Sequence, residues 1–469
     1  VIRYPSFRRV HFIGIGGIGM SGIAEVLLNM GYEVSGSDIR ESDTTLRLRE
    51  LGADVRIGHD PGNIEGAEVV VFSSAVRADN PEMVAALNTP GLPVIPRAEM
   101  LAELMRMKHS ILVAGAHGKT TTTSMIGTLL CESGLDPTVV IGGKLNAWGT
   151  NAKMGAGQFF VAEADESDGT FLLFSPSIAV ITNIDREHLD YYRDIDHIVD
   201  SFIQFANRVP FYGLTVLCCD NEWVATRVLP ALKRRYVTYG FREGANYRAL
   251  NLRAEGFGSV YDLEWNGRVV CSFRISVPGR HNVLNSLAAV AVGRELGLSW
   301  EEIGKGLERF TGVQRRLQIK GDVKGITVID DYGHHPTEIE AVLETLEEYF
   351  PERRKVVVFQ PHRYTRTRAL ADEFARVFRR CHVLFMCDIY PAGEKPIPGI
   401  TGEFLAEKIK RESFGDGDRI FRFRPSLEEL LQEVVDSITS GDMVITLGAG
   451  NVWKVGEELL LRLRRQEPR

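Results

Sequence analysis

Cysteine is scarce in this chain: six residues in 469, scattered at positions 131, 218, 219, 271, 381 and 387. None forms a CxxC pair and none stands at zinc-finger spacing from a histidine, which excludes a metal knuckle and a disulfide framework. A reducing cytoplasm is the compartment expected. Positive charge is not in excess either. With 55 basic against 62 acidic residues the formal net charge is -7, so no overall positive field exists to displace the counterions of a nucleic acid. Only a local basic site remains open. Nowhere is there an uninterrupted run of about 18 apolar residues, so no membrane span is expected. The run VHFIGIGGIGM follows Arg3, Arg8 and Arg9 like a secretory leader, but its glycines and the nearby Glu25 fit a strand entering a turn better. Short-period repeats, low-complexity tracts and long linkers are also missing. What is present is ordinary for a globular protein, 44% hydrophobic and 25% charged. At roughly 150 residues per domain the length suggests about three domains.

Three segments each open with a short apolar β-type run that leads into a turn and a helix. The first is Val10–Ile15, then GGIGMSGIAEVLLNMG with apolar residues at helical spacing, stopped by Gly31. YEVSGSD predicts a strand ending at Asp38, and further strands are expected near 69–75 and 92–95. RAEMLAELMRMK predicts a helix that carries the chain to the next unit. The second segment has Ser110–Ala114 as a buried strand, GAHGKT as a turn and TTTSMIGTLLCESG as a helix. FFVAEA, SIAVITNI and the alternating stretch 235–278 predict strands, and GRHNVLNSLAAVAVGRELG a helix. The third segment starts near Gly321, with ITVIDDYGHHP as strand and turn and TEIEAVLETLEEY as helix. KVVVFQP, HVLFM and DMVITLGAG predict its later strands. The fold class is therefore α/β, as three α/β domains in series.

Gly14-Ile15-Gly16-Gly17-Ile18-Gly19 satisfies GxGxxG between a strand and a helix, and Asp38 ends the next strand. Such a turn offers backbone N–H groups and a helix N-terminus to a diphosphate. Gly115-Ala116-His117-Gly118-Lys119-Thr120 is the sharper signal. Its amides can wrap phosphates, Lys119 can reach the terminal ones, and Thr120 or Thr121 can hold Mg²⁺. It departs from GxxxxGK[ST] because Val113 occupies the first glycine position. Glu163, Asp165, Glu166 and Asp168 crowd one strand end, where carboxylates repel unless a cation sits among them; for Asp168 a solvated loop is the preferred reading. His188 follows another strand, where imidazole could ligate a metal. Asn282 and Asn285 stand at a helix start, so capping and base recognition are both open. Arg315 and Arg316 flank the entry to the third segment, as phosphoryl ligands or as a solvated hinge. Arg363 and Arg366 are spaced to face a carboxylate.

Taken in order, GIGGIGMSG, AHGKTTT, EADESD, TNIDREHLDYY, GRHNVLNSLAA, DDYGHHPTEI and HRYTRT resemble the Mur ligase family across nearly the whole chain. The resemblance implies a Rossmann-like UDP-sugar-binding domain over 1–107, a central P-loop ATPase-type α/β domain over 108–320, and a C-terminal Rossmann-like amino-acid-binding domain over 321–469. It reassigns the first loop from a dinucleotide to the diphosphate of a UDP-sugar, with Gly16, Gly17, Ile18, Gly19, Ser37, Asp38, Ser73 and Ser74 as the binding residues. The activity it implies is ATP-dependent ligation of L-alanine to the lactyl carboxylate of UDP-N-acetylmuramate through an acyl phosphate, a step of bacterial peptidoglycan synthesis. No covalent enzyme intermediate is needed, so the lack of a Ser–His–Asp signature is expected; positioning and charge neutralisation suffice. By matching motif positions, Gly115, Ala116, His117, Gly118, Lys119, Thr120, Thr121, Asn282, Arg316 and Asp331 would bind ATP. Lys119, Glu163, His188 and Arg316 would be catalytic. Thr120, Glu163 and His188 would hold Mg²⁺, two ions, with Mn²⁺ as an alternative. Tyr332, His334, Arg363 and Arg366 would form the alanine side. The partners implied are UDP-N-acetylmuramate, L-alanine and ATP, with no nucleic acid, in a monomer or homodimer.

One departure is plain. Several members of the family carry a lysine, carbamylated to ligate metal, downstream of the histidine motif, and here Leu189–Leu232 contains no lysine. Three other readings compete. A ligase of the same family could attach a whole tripeptide to the same sugar nucleotide. A nicotinamide-dependent dehydrogenase would use the first loop but leave GKT, EADESD and the arginines unexplained. A non-catalytic nucleotide-binding module would not account for the acids and His188 beside a phosphate loop.

Overall fold

The computed structural model describes residues 8–73, 75–105, 108–142, 151–188, 191–415 and 419–465. Among the described residues the strands form three sheets. The first sheet contains β1 (Arg9–Ile13), β2 (Glu33–Asp38), β3 (Asp54–Ile57), β4 (Val69–Phe72) and β5 (Val94–Pro96), in the order β3-β2-β1-β4-β5. Every neighbouring pair is parallel. After the exposed Arg9, β1 is apolar but for His11 and is buried on both faces, as a central parallel strand should be. The strand order reverses beside β1, and the glycine-rich loop leaves from that point.

The second sheet contains β6 (His109–Ala114), β7 (Thr138–Val140), β8 (Ala152–Lys153), β9 (Phe159–Glu163), β10 (Ile178–Ile181), β11 (Leu214–Cys218), β12 (Tyr236–Gly240), β13 (Tyr247–Glu255), β14 (Gly258–Trp265) and β15 (Arg268–Ile275). Their order is β15-β14-β13-β12-β11-β10-β6-β9-β7-β8. β6 lies between β9 and β10, both parallel to it, so three strands end together at one edge. From that edge come the loop Gly115–Gly118, the acids after Glu163 and the segment leading to His188. Apolar residues of both sheets, such as Phe12 and Leu112, and of the helices beside them, such as Ile23, Leu104, Phe171 and Phe202, form one buried cluster.

The third sheet contains β16 (Gln318–Val323), β17 (Ile326–Asp331), β18 (Lys355–Phe359), β19 (Val383–Met386), β20 (Ile420–Phe423) and β21 (Met443–Leu447), ordered β16-β17-β21-β18-β19-β20. Val357 and Phe359 of β18 join one buried cluster while Val356 and Val358 join another. The two-residue alternation of the strand thus feeds a core on each face. β16 was not expected from the sequence. It runs antiparallel to β17 with an irregularity between Ile319 and Gly321, and its polar, half-exposed residues QIKGDV carry little of the apolar signal that marks a strand.

By compactness the chain divides into two units. One runs to Asn251 and adds Tyr261–Arg274 and Leu284–Thr311; the other comprises Leu252–Val260, Ile275–Val283 and Gly312–Arg469.

Candidate active site

The loop after β1 is held by backbone bonds. The amides of Gly14 and Ile15 both donate to the Ser37 carbonyl, at 2.8 and 2.9 Å. The Gly16 amide donates to Asp38 Oδ2 at 2.9 Å. Asp38 is therefore tied to the loop itself, and a Cβ on Gly16 would come within 2.8 Å of that carboxylate. The helix Ile18–Asn29 then starts at Gly17 with no capping side chain and no acid in its first turn, which leaves its N-terminal end suited to an anion. Ser73 follows β4, with its Cβ near the position a Gly14 side chain would take. Ser74 lies outside the described residues. Ser37 departs from the expected ligand contact through its side chain: its hydroxyl is buried and donates to Glu82 Oε2 at 2.6 Å. Glu82 is fully buried and also meets His11 Nε2 at 3.1 Å and the Asn63 amide at 2.6 Å. Burial alone would raise its pKa, but these partners hold it at about 2.

The loop after β6 carries charge. Gly118 caps the helix Lys119–Glu132 in the left-handed region, φ 81°, where glycine is at home. Asn285 Oδ1 sits 2.6 Å from where a Cβ of Gly118 would be, and accepts from the Thr122 hydroxyl at 3.1 Å. The Lys119 ammonium donates to the Gly115 carbonyl at 2.5 Å and to both oxygens of Glu166 at 2.8 and 2.9 Å. Burial works against its charge, yet Glu166, Asp165 and Glu163 together raise its pKa above the ordinary value. Glu163 accepts from the Gly142 amide at 2.5 Å and bonds the Thr120 hydroxyl. Its pKa is nonetheless raised, because burial outweighs those contacts and Lys119. His188, at φ 54°, places Nε2 3.7 Å from Glu166 Oε1. Thr120 and Glu163, with Glu166 nearby, offer the hydroxyl and carboxylate oxygens that suit a hard divalent cation, and His188 adds a softer imidazole nitrogen. Asp168 bonds the backbone and hydroxyl of Thr170, as a loop-forming residue does.

Several residues at this edge escaped the sequence reading. Glu166 was legible only as one member of a charged cluster, and nothing local marked it as the buried partner of Lys119. Asn183 clasps the phosphate loop, accepting from the His117 amide at 2.8 Å and donating to the His117 carbonyl at 2.9 Å. Asp185 Oδ2 lies 2.8 Å from His117 Nε2. Ala116 takes part through its amide, which donates to the Asn183 carbonyl. Thr121 is buried on the helix's first turn.

In the second unit the expected residues gather at the ends of β17 and β18. Arg315, at φ 60°, is committed: Nε bonds Asp330 Oδ2 at 2.9 Å and Nη2 the Gly448 carbonyl at 2.6 Å. Asp330 also accepts from Thr446 at 2.7 Å. Arg316 reaches Glu338 at 3.1 Å, and both guanidinium groups approach the Tyr332 ring, at 5.0 and 5.4 Å. Asp331 accepts from the amides of Leu317 and Gly333, each at 2.7 Å. Burial pushes its pKa up to about 6, against the pull of Arg316. The Asn282 side chain donates to the Pro278 carbonyl at 2.7 Å. His334 Nδ1 meets the Tyr332 carbonyl at 3.0 Å, and its ring packs on His362, 5.6 Å between centroids. Arg366 reaches His362 Nδ1 at 3.3 Å, and Arg363, at φ 70°, begins the short helix. Burial, then His334, Arg366 and Arg363, push the His362 pKa down to about 3. The cluster is a cationic, aromatic-walled corner suited to a small carboxylate.

Comparison with known proteins gives matches along the chain. Residues 9–109 match the Mur ligase family, catalytic domain; 113–293 the Mur ligase middle domain; and 315–450 the Mur ligase, glutamate ligase domain. A UDP-N-acetylmuramate–L-alanine ligase of Syntrophobacter fumaroxidans is 58% identical over 461 residues, 98% of this chain and 97% of that one. The crystal structure of UDP-N-acetylmuramate–alanine ligase from Thermotoga maritima superposes with a TM-score of 0.83 at 30% identity, covering 98% of this chain and all of that one. A murein peptide ligase of Psychrobacter arcticus shares the fold, with a TM-score of 0.70 at 22% identity over 98% of this chain and all of that one.

Proposed function

The chain belongs to the Mur ligase family, with three α/β domains, and on that premise we propose that it joins L-alanine to the lactyl carboxylate of UDP-N-acetylmuramate at the expense of ATP. The observation that carries this reading is the end-to-end identity of 58% with a ligase of that name. The charged edge around Lys119 supports it, because phosphoryl transfer needs a cation and carboxylates converging on one phosphate loop.

In this reading the division into domains falls after residues 107 and 320. Gly16, Gly17, Ile18 and Gly19 present amides to the sugar nucleotide's diphosphate, with Ser73 and Ser74 at the neighbouring strand end. Ser37 and Asp38 support the loop, the first through its carbonyl and the second through its bond to Gly16. Gly115, Ala116, His117, Gly118, Thr120 and Thr121 surround the triphosphate, and Lys119 leaves Glu166 for the β- and γ-phosphates. Asn282 serves the adenine, Asp331 the ribose and Arg316 the phosphates. Thr120, Glu163 and His188 are the residues that would hold divalent cations; their donor chemistry fits Mg²⁺, and Mn²⁺ as a substitute. When bound, such ions neutralise the transferring phosphoryl group and the substrate carboxylate. No lysine is available between Leu189 and Leu232 to supply a carbamate. Arg363 and Arg366 hold the alanine carboxylate, with Tyr332 and His334 as the wall. The lactyl carboxylate takes the γ-phosphoryl group, the alanine amine attacks the acyl phosphate, and amide and phosphate separate. The amine must lose its proton to solvent before it attacks; His362, with its pKa pushed down to about 3, is too weak a base to take it. A cytoplasmic location and a monomeric or dimeric state belong to the same proposal. No described helix is long and apolar enough to cross a membrane.

The test is phosphate release from Mg-ATP with UDP-N-acetylmuramate and no amino acid, L-alanine, or the stem tripeptide. Release with L-alanine and a product heavier by one alanyl unit is expected. Release with the tripeptide alone would move the activity to tripeptide attachment, and no release with either would overturn the ligase reading.

A further inference from the structure

We propose that Arg97 is the side-chain counter-ion of the substrate diphosphate, parked beside Asp165 until that diphosphate arrives. The proposal deepens the UDP-sugar reading above and rests on it.

Arg97 opens the helix Arg97–Met105 immediately after β5, so it stands at the same end of the first sheet as the loop after β1. Its guanidinium lies over Gly19. A Cβ on Gly19 would come within 2.5 Å of Nη1, 3.2 Å of Cζ and 3.3 Å of Cδ. Glycine at position 19 is what admits the guanidinium to the first turn of the helix Ile18–Asn29, whose end carries neither a capping side chain nor an acid.

A guanidinium has five N–H donors. Among the described residues Arg97 uses none of them in a hydrogen bond, and its ion-pair partner is Asp165, 3.6 Å away. The side chain is 28% exposed, and none of its nitrogens is both buried and unpaired, so its donors face solvent beside the loop and are open to an arriving acceptor. An anion is the group that a guanidinium and a helix N-terminus both favour there. The planar fork matches phosphate oxygens, and an uncapped helix end favours the same charge. Asp165 does not depend on Arg97. Its side chain is 44% exposed, and its Oδ1 also accepts from the Ser167 amide at 3.1 Å. The arginine can therefore leave without stranding a carboxylate.

The experiment is equilibrium binding of UDP, UMP and uridine to the full chain, alongside Arg97→Met, Arg97→Lys and Asp165→Asn, with melting curves for each. Arg97→Met is expected to weaken UDP by about 10- to 100-fold, UMP by less, and uridine by under about two-fold. Arg97→Lys should fall between wild type and Arg97→Met, and it carries the test if the methionine variant fails to fold. Asp165→Asn should bind UDP at least as tightly as wild type, since it releases the arginine. In turnover, KM for the sugar nucleotide should rise in Arg97→Met while KM for ATP stays constant. Unchanged UDP affinity in the arginine variants, equal losses for uridine and UDP, or a loss in Asp165→Asn as large as in Arg97→Met would each overturn the proposal. Wild-type protein that holds UDP no better than uridine would instead bring down the UDP-sugar reading, and the proposal with it.

Discussion

The loops after β1 and β6 are built alike and surrounded differently. Each leaves the C-terminal end of a central parallel strand, turns on glycines and starts a helix. Around the first loop stand Asp38, bonded to the loop's own amide, with Ser73, Thr45 and Arg97, and among the described residues no carboxylate other than Asp38 is within reach of a Cβ on its glycines. Beneath it lies a buried hydrogen-bonded network of His11, Ser37 and Glu82. Around the second are Lys119, Glu163, Asp165, Glu166 and His188, with His117 clasped by Asn183 and Asp185. The contrast teaches that the backbone device itself only gathers phosphate oxygens. Whether a loop holds a group or transforms it is decided by the side chains that later strands bring alongside. In the proposed reaction the first loop holds and the second transforms.

Lys119→Ala strikes that contrast at its strongest point. Turnover is expected to fall by roughly 10³-fold, the scale on which removing a phosphate- or oxyanion-stabilising group acts. UDP affinity should stay within about two-fold, because the first loop keeps all its contacts. Glu166 loses its buried cation, and stranding a buried charge costs about 3–5 kcal/mol unless the carboxyl takes a proton, so the melting temperature should fall as well. Phosphate release, a UDP titration and a melt on one preparation check all three. A parallel loss of UDP affinity would mean the loops do not act separately.

Glu82→Gln probes the first loop from below. Its carboxyl is held at about 2 against an ordinary 4.5. A folded pKa below the unfolded one adds stability above about pH 4.5, and that stability is lost as pH falls toward 2. The shift corresponds to about 3 kcal/mol. Wild-type protein should therefore lose stability across that acid window, and Glu82→Gln should be weaker at neutral pH with a flatter acid limb. Glu163 is shifted upward, so its sign is opposite and it cannot produce the acid loss. An acid limb unchanged in Glu82→Gln would show that the network is not the source.

Both loops, their strands and the helices after them are legible from glycine spacing and apolar periodicity, because those signals are local. The supporting residues are not. Glu82 lies 45 positions from Ser37 and Glu166 lies 47 from Lys119, and only the strand order brings them together. Ser37 could not be oriented from its strand either: Gly36 and Ser37 are both buried in β2, since a sheet covered on both faces erases the in-out alternation. β16 was missed for the opposite reason, a polar edge strand with no apolar run. Arg315 and Arg316 look equivalent in sequence, and only the bonds of Arg315 to Asp330 and Gly448 tell them apart.

The smallest expected effects lie in the glycines themselves, and they separate two reasons for having one. Gly118 is at φ 81°, and a Cβ there would stand 2.6 Å from Asn285 Oδ1. Gly118→Ala should cost about 1–2 kcal/mol of backbone strain and weaken ATP about ten-fold as Asn285 is pushed aside. Gly17 is at φ -62° and ψ 141°, open to any residue, and its Cβ would meet the Gly14 carbonyl at 3.4 Å. Gly17→Ala should leave stability within about 0.5 kcal/mol, since removing a glycine from an ordinary conformation also stiffens the unfolded chain. Any UDP affinity lost in that variant then measures the approach of the diphosphate to the backbone, free of strain. Denaturant curves and titrations on the pair decide it. Equal destabilisation by both substitutions would mean that the first loop, too, needs its glycines for folding, and the division between a holding loop and a transforming one would have to rest on the charged side chains alone.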